Sequence, residues 1–98
     1  MAYLRVKWEH SIPTEPTWLY SELDEYRWEV RKVEIFPDGR QGHVGPAGAY
    51  GGTALGTMPV PVISEIAADL QFDPVEITQQ EFELVWAKRG SDSSAKMV

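Results

Sequence analysis

The sequence predicts an α+β domain: a small antiparallel twisted sheet of about four strands with two short helices, the C-terminal one packed on the sheet. Three observations carry this. Near the N-terminus, Leu4, Val6 and Trp8 alternate with Tyr3, Arg5, Lys7 and Glu9, the period of two of a half-buried strand. In the middle, two extended runs flank Pro37-Asp38-Gly39, where Pro presets φ and Gly is open to positive φ, so the runs close as a hairpin. Near the C-terminus, Thr78 and Glu81 have capping-box spacing, and Phe82, Val85 and Trp86 follow on one helical face.

Taken in order, the first strand ends before Pro13 and Pro16, which bracket a stiff connection. Residues 18–23 resume an extended pattern, and Asp24-Glu25 makes a polar turn. Along the next run Trp28 and Val30 share one parity, Val33 and Ile35 the other. A β-bulge near Arg31-Lys32 reconciles them. Residues 41–44 return from the hairpin. Residues 45–61 are crowded with Gly and Pro and read as a long loop, with fast amide exchange expected over 45–57.

Residues 63–70 read as a short helix with Ser64 as N-cap, Glu65 in its first turn, and Ile66 and Leu70 on one face. Residues 74–77 add a short extended piece. The final helix ends with Lys88 and Arg89 in its last turn and Gly90 to close it. Residues 1–90 thus form one domain, and 91–98 are expected to be a disordered tail. Trp8, Trp28 and Trp86 fall on apolar faces and read as core. Trp18 and Tyr20 lie opposite Leu19 in parity, so an exposed pair there would anchor a partner.

Composition narrows the function. With 98 residues, 43% of them hydrophobic, the chain can build one core. It holds no cysteine, which removes disulfides, thiolate metal sites and thiol nucleophiles, and suits a reducing, cytoplasmic setting. Charges recur throughout residues 1–10, unlike a signal-peptide core, and Gly and Pro break residues 44–62 too often for a spanning helix. Net charge is −6, unevenly placed: from Gln41 to Ala87 there are six acids and no Lys or Arg. That segment disfavours nucleic acid and suits a basic protein partner, although acidic surface also serves solubility alone.

No catalytic constellation stands out. His10 and His43 are not spaced as ligands, so no metal is expected, and Ser11 beside His10 is adjacency only. Glu29 with Glu34, or Glu22 with Asp24, could face a cleft, but strand carboxylates more often pair with Arg and Lys. Residues 48–56 lack the Gly-Lys-Ser/Thr of a phosphate loop, and no cofactor is expected.

Several runs resemble a known family. They are Trp8-x-His10, the stretch from Leu19 to Asp24, and Arg27 to Phe36 with Asp38-Gly39. Further on come Gly52-Thr53-x-Leu55-Gly56, Pro59-x-Pro61, Glu65-Ile66-x-Ala68-Asp69 and Glu81-Phe82-Glu83-x-x-Trp86. Together they are similar to an uncharacterised family of small bacterial domains of unknown function. The resemblance implies a standalone cytoplasmic protein and assigns no catalytic or binding residue.

Two functional expectations follow. The first is a non-enzymatic acidic binding protein, immunity-like (toxin-neutralising) or regulatory, whose partner is a basic toxin or enzyme. The second is a small-molecule binder or minor enzyme using the polar face of strand 27–34 beneath a glycine-rich lid. In both, the contact residues are drawn from Tyr20, Glu22, Arg27, Glu29, Arg31, Glu34 and Tyr50. Arg27, Glu29 and Arg31 are expected to point outward before the bulge, Glu34 after it, with one sheet face covered and the other open to solvent. Oligomeric state is left open.

Overall fold

A computed structural model describes residues 1–89. Gly90 and the tail expected at 91–98 lie outside the described residues. The chain runs through strands β1 (Ala2–Trp8), β2 (Trp18–Leu23), β3 (Glu29–Ile35), β4 (Gln41–Gly45) and β5 (Gly48–Tyr50). Helix α1 (Ile63–Ala67), strand β6 (Phe72–Glu76) and helix α2 (Gln79–Ala87) complete it. The strands form one antiparallel sheet in the order β5-β4-β3-β2-β1-β6.

The α+β expectation holds at the level of an antiparallel sheet with two helices, but the sheet has six strands rather than about four. The two extra strands are its edges. β5 spans three exposed residues inside the segment read as loop. β6 extends the piece read at 74–77 and pairs with β1 along its length. Both edges are blunted against pairing with another chain. Ile77 donates its N–H to the Tyr3 carbonyl at 2.9 Å, so the odd-numbered groups of β6 face β1 and Pro74 faces outward. A proline there presents no N–H to an incoming strand.

The hairpin at Pro37-Asp38-Gly39 forms with Gly39 at φ 90°. The bulge is also present, one residue earlier than read. Opposite Glu22 lies Arg31 and opposite Leu23 lies Glu29, so Val30 is the extra residue. This small displacement redirects the strand. Arg31 joins Val33 and Ile35 on one face, while Glu29 joins Lys32 and Glu34 on the other.

Both sheet faces carry a cover, where one was expected to meet solvent. On the first, α2 lays Phe82 against Tyr3 with ring centroids 5.4 Å apart, and Ile77 closes the cluster. Its capping box is complete. The Glu81 amide donates to Thr78 Oγ1 at 3.1 Å, and the Thr78 amide donates to Glu81 Oε1 at 2.9 Å. On the opposite face, residues 53–62 cross the sheet and α1 follows. Thr53 sits so tightly over Gly42 that a Cβ there would collide with its hydroxyl, hence the glycine. α1 is shorter than read: it begins after Val62 without a side-chain cap and ends before Leu70, which is 94% exposed.

Candidate functional site

The displaced bulge divides the expected contact residues between the two faces. Tyr20, Glu22 and Arg31 lie on the α2 face. There Arg31 is an internal clamp rather than an outward side chain. It donates to Glu22 at 2.6 and 2.9 Å and to Glu83 at 3.1 and 2.6 Å. Its guanidinium also stacks over the rings of Phe82 and Trp86. Tyr3 completes the knot by donating its hydroxyl to Glu22 at 3.0 Å. These bonds hold the Glu22 carboxyl below its ordinary range, the Arg31 contact being the largest cause.

Tyr20 is half-buried against the α2 cluster, and burial raises its phenol pKa. Trp18 lies in the next row of the same face, its ring flanked by the Arg5 and Lys7 cations, each 5.5 Å from the ring centroid. Trp28, read as core, is 41% exposed; it ends the turn that begins at Asp24, with its carbonyl accepting the Asp24 amide and its amide donating to the Asp24 side chain.

Tyr50, on edge strand β5, is exposed and stacks on His43 at 5.5 Å. Burial lowers the His43 pKa, and the nearby Arg89 charge adds to the effect. His10 is held differently. Its Nδ1 accepts the Ile12 N–H, so Nε2 donates to the Pro16 carbonyl at 2.7 Å. Among the described residues no group of three or more His, Asp or Glu is placed to hold a metal ion, and no helix is long and apolar enough to cross a membrane.

Glu29 and Glu34 sit on the opposite face, beneath the crossing segment. Glu29 accepts the Gly56 N–H at 2.6 Å and the Ser21 hydroxyl at 3.2 Å. Glu34 accepts the Thr53 hydroxyl at 2.8 Å. The segment expected to act as a lid is therefore bonded to the sheet at two points. Arg27, in the left-handed region at φ 68°, fixes the next stretch: it donates from Nε to the Val60 carbonyl and from Nη2 to the Pro61 carbonyl, both at 2.8 Å. Asp24 holds this turn by accepting the Tyr26 and Trp28 amides.

Between the anchored Val60-Pro61 stretch, α1 and the sheet lies a cleft of about 350 Å³. Leu4, Val6 and Leu19 form its sheet wall, Val60 and Pro61 a second wall, and Ile66 and Phe72 the α1–β6 end. Ser21 and Glu29 supply polar groups from the sheet, Glu65 and Asp69 from the α1 side. The lining thus combines an apolar body with three carboxylates and holds no Lys or Arg. Two other recesses differ in kind. A smaller one of about 200 Å³ lies beside His43, Trp86 and Arg89, and a polar groove of about 500 Å³ runs between Glu15, Arg40 and Gly52. An apolar concavity with a few convergent polar groups is the form that binding sites take.

Of the residues expected to make contact, Glu29 lines the cleft and Arg27 positions its wall. The sequence reading missed Glu65 and Asp69 as site residues, treating them as helix dipole and general acidity. The signal lay in two facts together: the cation-free run from 41 to 87, and the parity that sets Leu4, Val6, Leu19 and Ser21 on one face.

No curated protein and no solved structure matches the chain. A family model described as a domain of unknown function, DUF6881, matches residues 2–91, which includes every run quoted above. The chain belongs to this family of uncharacterised domains.

Proposed function

We propose that the domain is a non-enzymatic binding protein that takes a basic protein partner against its cleft face, in an immunity-like or other regulatory role. One observation carries this reading: the cleft is apolar in body, bears Glu29, Glu65 and Asp69, and has no cation in its lining. Exposed apolar side chains at Met58, Val62 and Leu70 stand in the segments that form its walls. An apolar centre with a charged rim suits a protein interface, and complementary charge raises the association rate. The blunted β5 and β6 edges favour recognition through a face rather than by strand addition.

The test is affinity against salt for the complex formed with the basic product of a neighbouring gene, using wild type and the Glu65→Gln/Asp69→Asn variant. The Asn keeps the acceptor that Asp69 offers to the Gln71 amide. The expected result is roughly tenfold weaker binding and a flatter salt dependence in the variant. Equal affinities, or binding insensitive to salt, would rule the reading out. The cleft's volume also favours a second reading as a small-molecule site. A neutral small molecule that raises the melting temperature of wild type but not of an Ile66→Trp variant would favour that one.

A further inference from the structure

Beneath the crossing segment, two carboxylates share one cation. Lys32 Nζ lies 3.5 Å from Glu29 and 3.9 Å from Glu34. All three side chains are largely buried, with exposures of 14% for Lys32, 7% for Glu29 and 15% for Glu34. Among the described residues Lys32 is the cation within ion-pair distance of either carboxylate. Arg27 is turned away, its guanidinium bonded to the Val60 and Pro61 carbonyls. The cluster therefore holds one negative charge in excess, away from bulk water, where an uncompensated charge is costly.

The two carboxylates differ in what lies beside them. Glu34 accepts the Thr53 hydroxyl and lines the separate polar groove with Arg40 and Gly52, whereas Glu29 forms part of the cleft wall together with Leu4, Val6, Leu19 and Ile66. A carboxylate has about four acceptor positions. The Gly56 amide and the Ser21 hydroxyl each take one on Glu29, one per oxygen, and Lys32 Nζ stands 3.5 Å from the oxygen that Gly56 bonds, which leaves the Ser21-bonded oxygen with a single donor. A cation entering through the cleft would thus meet an open acceptor and neutralise the excess charge.

We infer that the cleft takes a single Lys or Arg side chain of the basic partner, its methylene stem along the Leu4–Leu19–Ile66 surface and its charged head on Glu29. Long cationic side chains bury their stems against apolar surface and hold the head at a polar group. The cleft offers both parts in one concavity. Glu65 and Asp69 add favourable potential on the α1 side for the approaching cation. The inference rests on the reading of the cleft face as the partner site, and it adds the chemical identity of the anchor and the residue that selects it.

The test uses a blocked arginine, N-acetyl-arginine methylamide, against its neutral isostere, the blocked citrulline, titrated into isotopically labelled protein and followed by NMR. Methyl shifts are expected at Leu4, Leu19 and Ile66, with arginine bound roughly tenfold more tightly than citrulline. Glu29→Gln keeps a carbonyl oxygen for the Gly56 amide and is expected to bring that ratio near one. Glu34→Gln, which does not line the cleft, leaves it in place. Equal affinities for the two probes in wild type, shifts confined to other surfaces, or an unchanged ratio in Glu29→Gln would each overturn the inference. Should Glu29→Gln fail to fold, Leu19→Trp fills the cleft from the sheet side, and retained arginine selectivity in that variant overturns the inference as well. If the probes are not discriminated while Glu65→Gln/Asp69→Asn still weakens the partner complex, this inference falls and the broader proposal stands.

Discussion

Replacing Arg31 with Ala should unfold far more of this protein than a surface charge deletion would. The guanidinium is 16% exposed and joins Glu22, 8% exposed, to Glu83, 44% exposed. Without it, the Glu22 carboxylate keeps the Tyr3 hydroxyl as its side-chain donor and stays beneath α2. Removing one partner of a buried pair costs about 3–5 kcal/mol, and the partial exposure of Arg31 puts this pair near 3. Loss of the contacts over Phe82 and Trp86 adds about 0.5–1 kcal/mol. For a domain of this size each kcal/mol moves the melting temperature by about 4–8 °C, so a fall of at least about 12 °C is expected. Urea unfolding followed by tryptophan fluorescence measures it, with the slope m as the check that the unfolded state is unaltered. The double variant Arg31→Met/Glu22→Met, which removes both charges, should recover most of the loss. A change below about 1 kcal/mol in the single variant would refute the clamp, since that is the scale of an exposed pair such as Lys7–Glu9.

Other expectations follow from the same structure. Thr78→Ala removes the cap of α2 and should cost about 0.5–2 kcal/mol. Phe82→Ala empties a fully buried site and should cost about 3–5 kcal/mol, both measured by denaturant midpoint. The Glu22 carboxyl is depressed when folded, so its contribution is complete above the ordinary value of 4.5 and is lost as pH falls through the lower folded value. Acid unfolding of Glu22→Gln should accordingly be less steep below that pH, and a profile identical to wild type would count against the pairing. The Gly56 amide, bonded to Glu29, should exchange with solvent more slowly than those of Gly51 and Gly52. Uniformly fast exchange over 51–57 would mean that the crossing segment is detached from the sheet.

How far the sequence could be read depended on whether a signal was local. The capping box at Thr78 and Glu81 and the Pro37-Asp38-Gly39 turn are short-range patterns that appear in the structure as read, whereas β1 forms as a strand but buries both Tyr3 and Leu4, because each of its faces is covered. The bulge was legible too, because two apolar pairs of opposite parity cannot share a face of a regular strand. Its position was not, and a shift to Val30 sends Arg31 under α2. Register is a tertiary property, decided here by what packs on each side. The edges were read only in part, β6 as a short extended piece at 74–77 and β5 as loop, for a related reason. β5 and β6 are short, carry Gly or Pro, and become strands by pairing with β4 and β1 rather than through their own propensity. The anchoring of the crossing segment was not legible from its own residues, because the groups that bond it, Glu29 to Gly56 and Glu34 to Thr53, lie 27 and 19 residues away in the chain.

The central claim is that the cleft face meets a basic partner, and site-specific photocrosslinking tests it most directly. A crosslinking residue replaces Leu70 or Met58, exposed side chains in the segments walling the cleft, and in a control replaces Leu84, 59% exposed on α2. The account predicts that the Leu70 and Met58 probes, but not the Leu84 probe, form a crosslink in cells to one protein of basic surface. That crosslink should be lost on Glu65→Gln/Asp69→Asn substitution. Crosslinking from Leu84 alone, or a crosslink at Leu70 that survives neutralisation of Glu65 and Asp69, would contradict it.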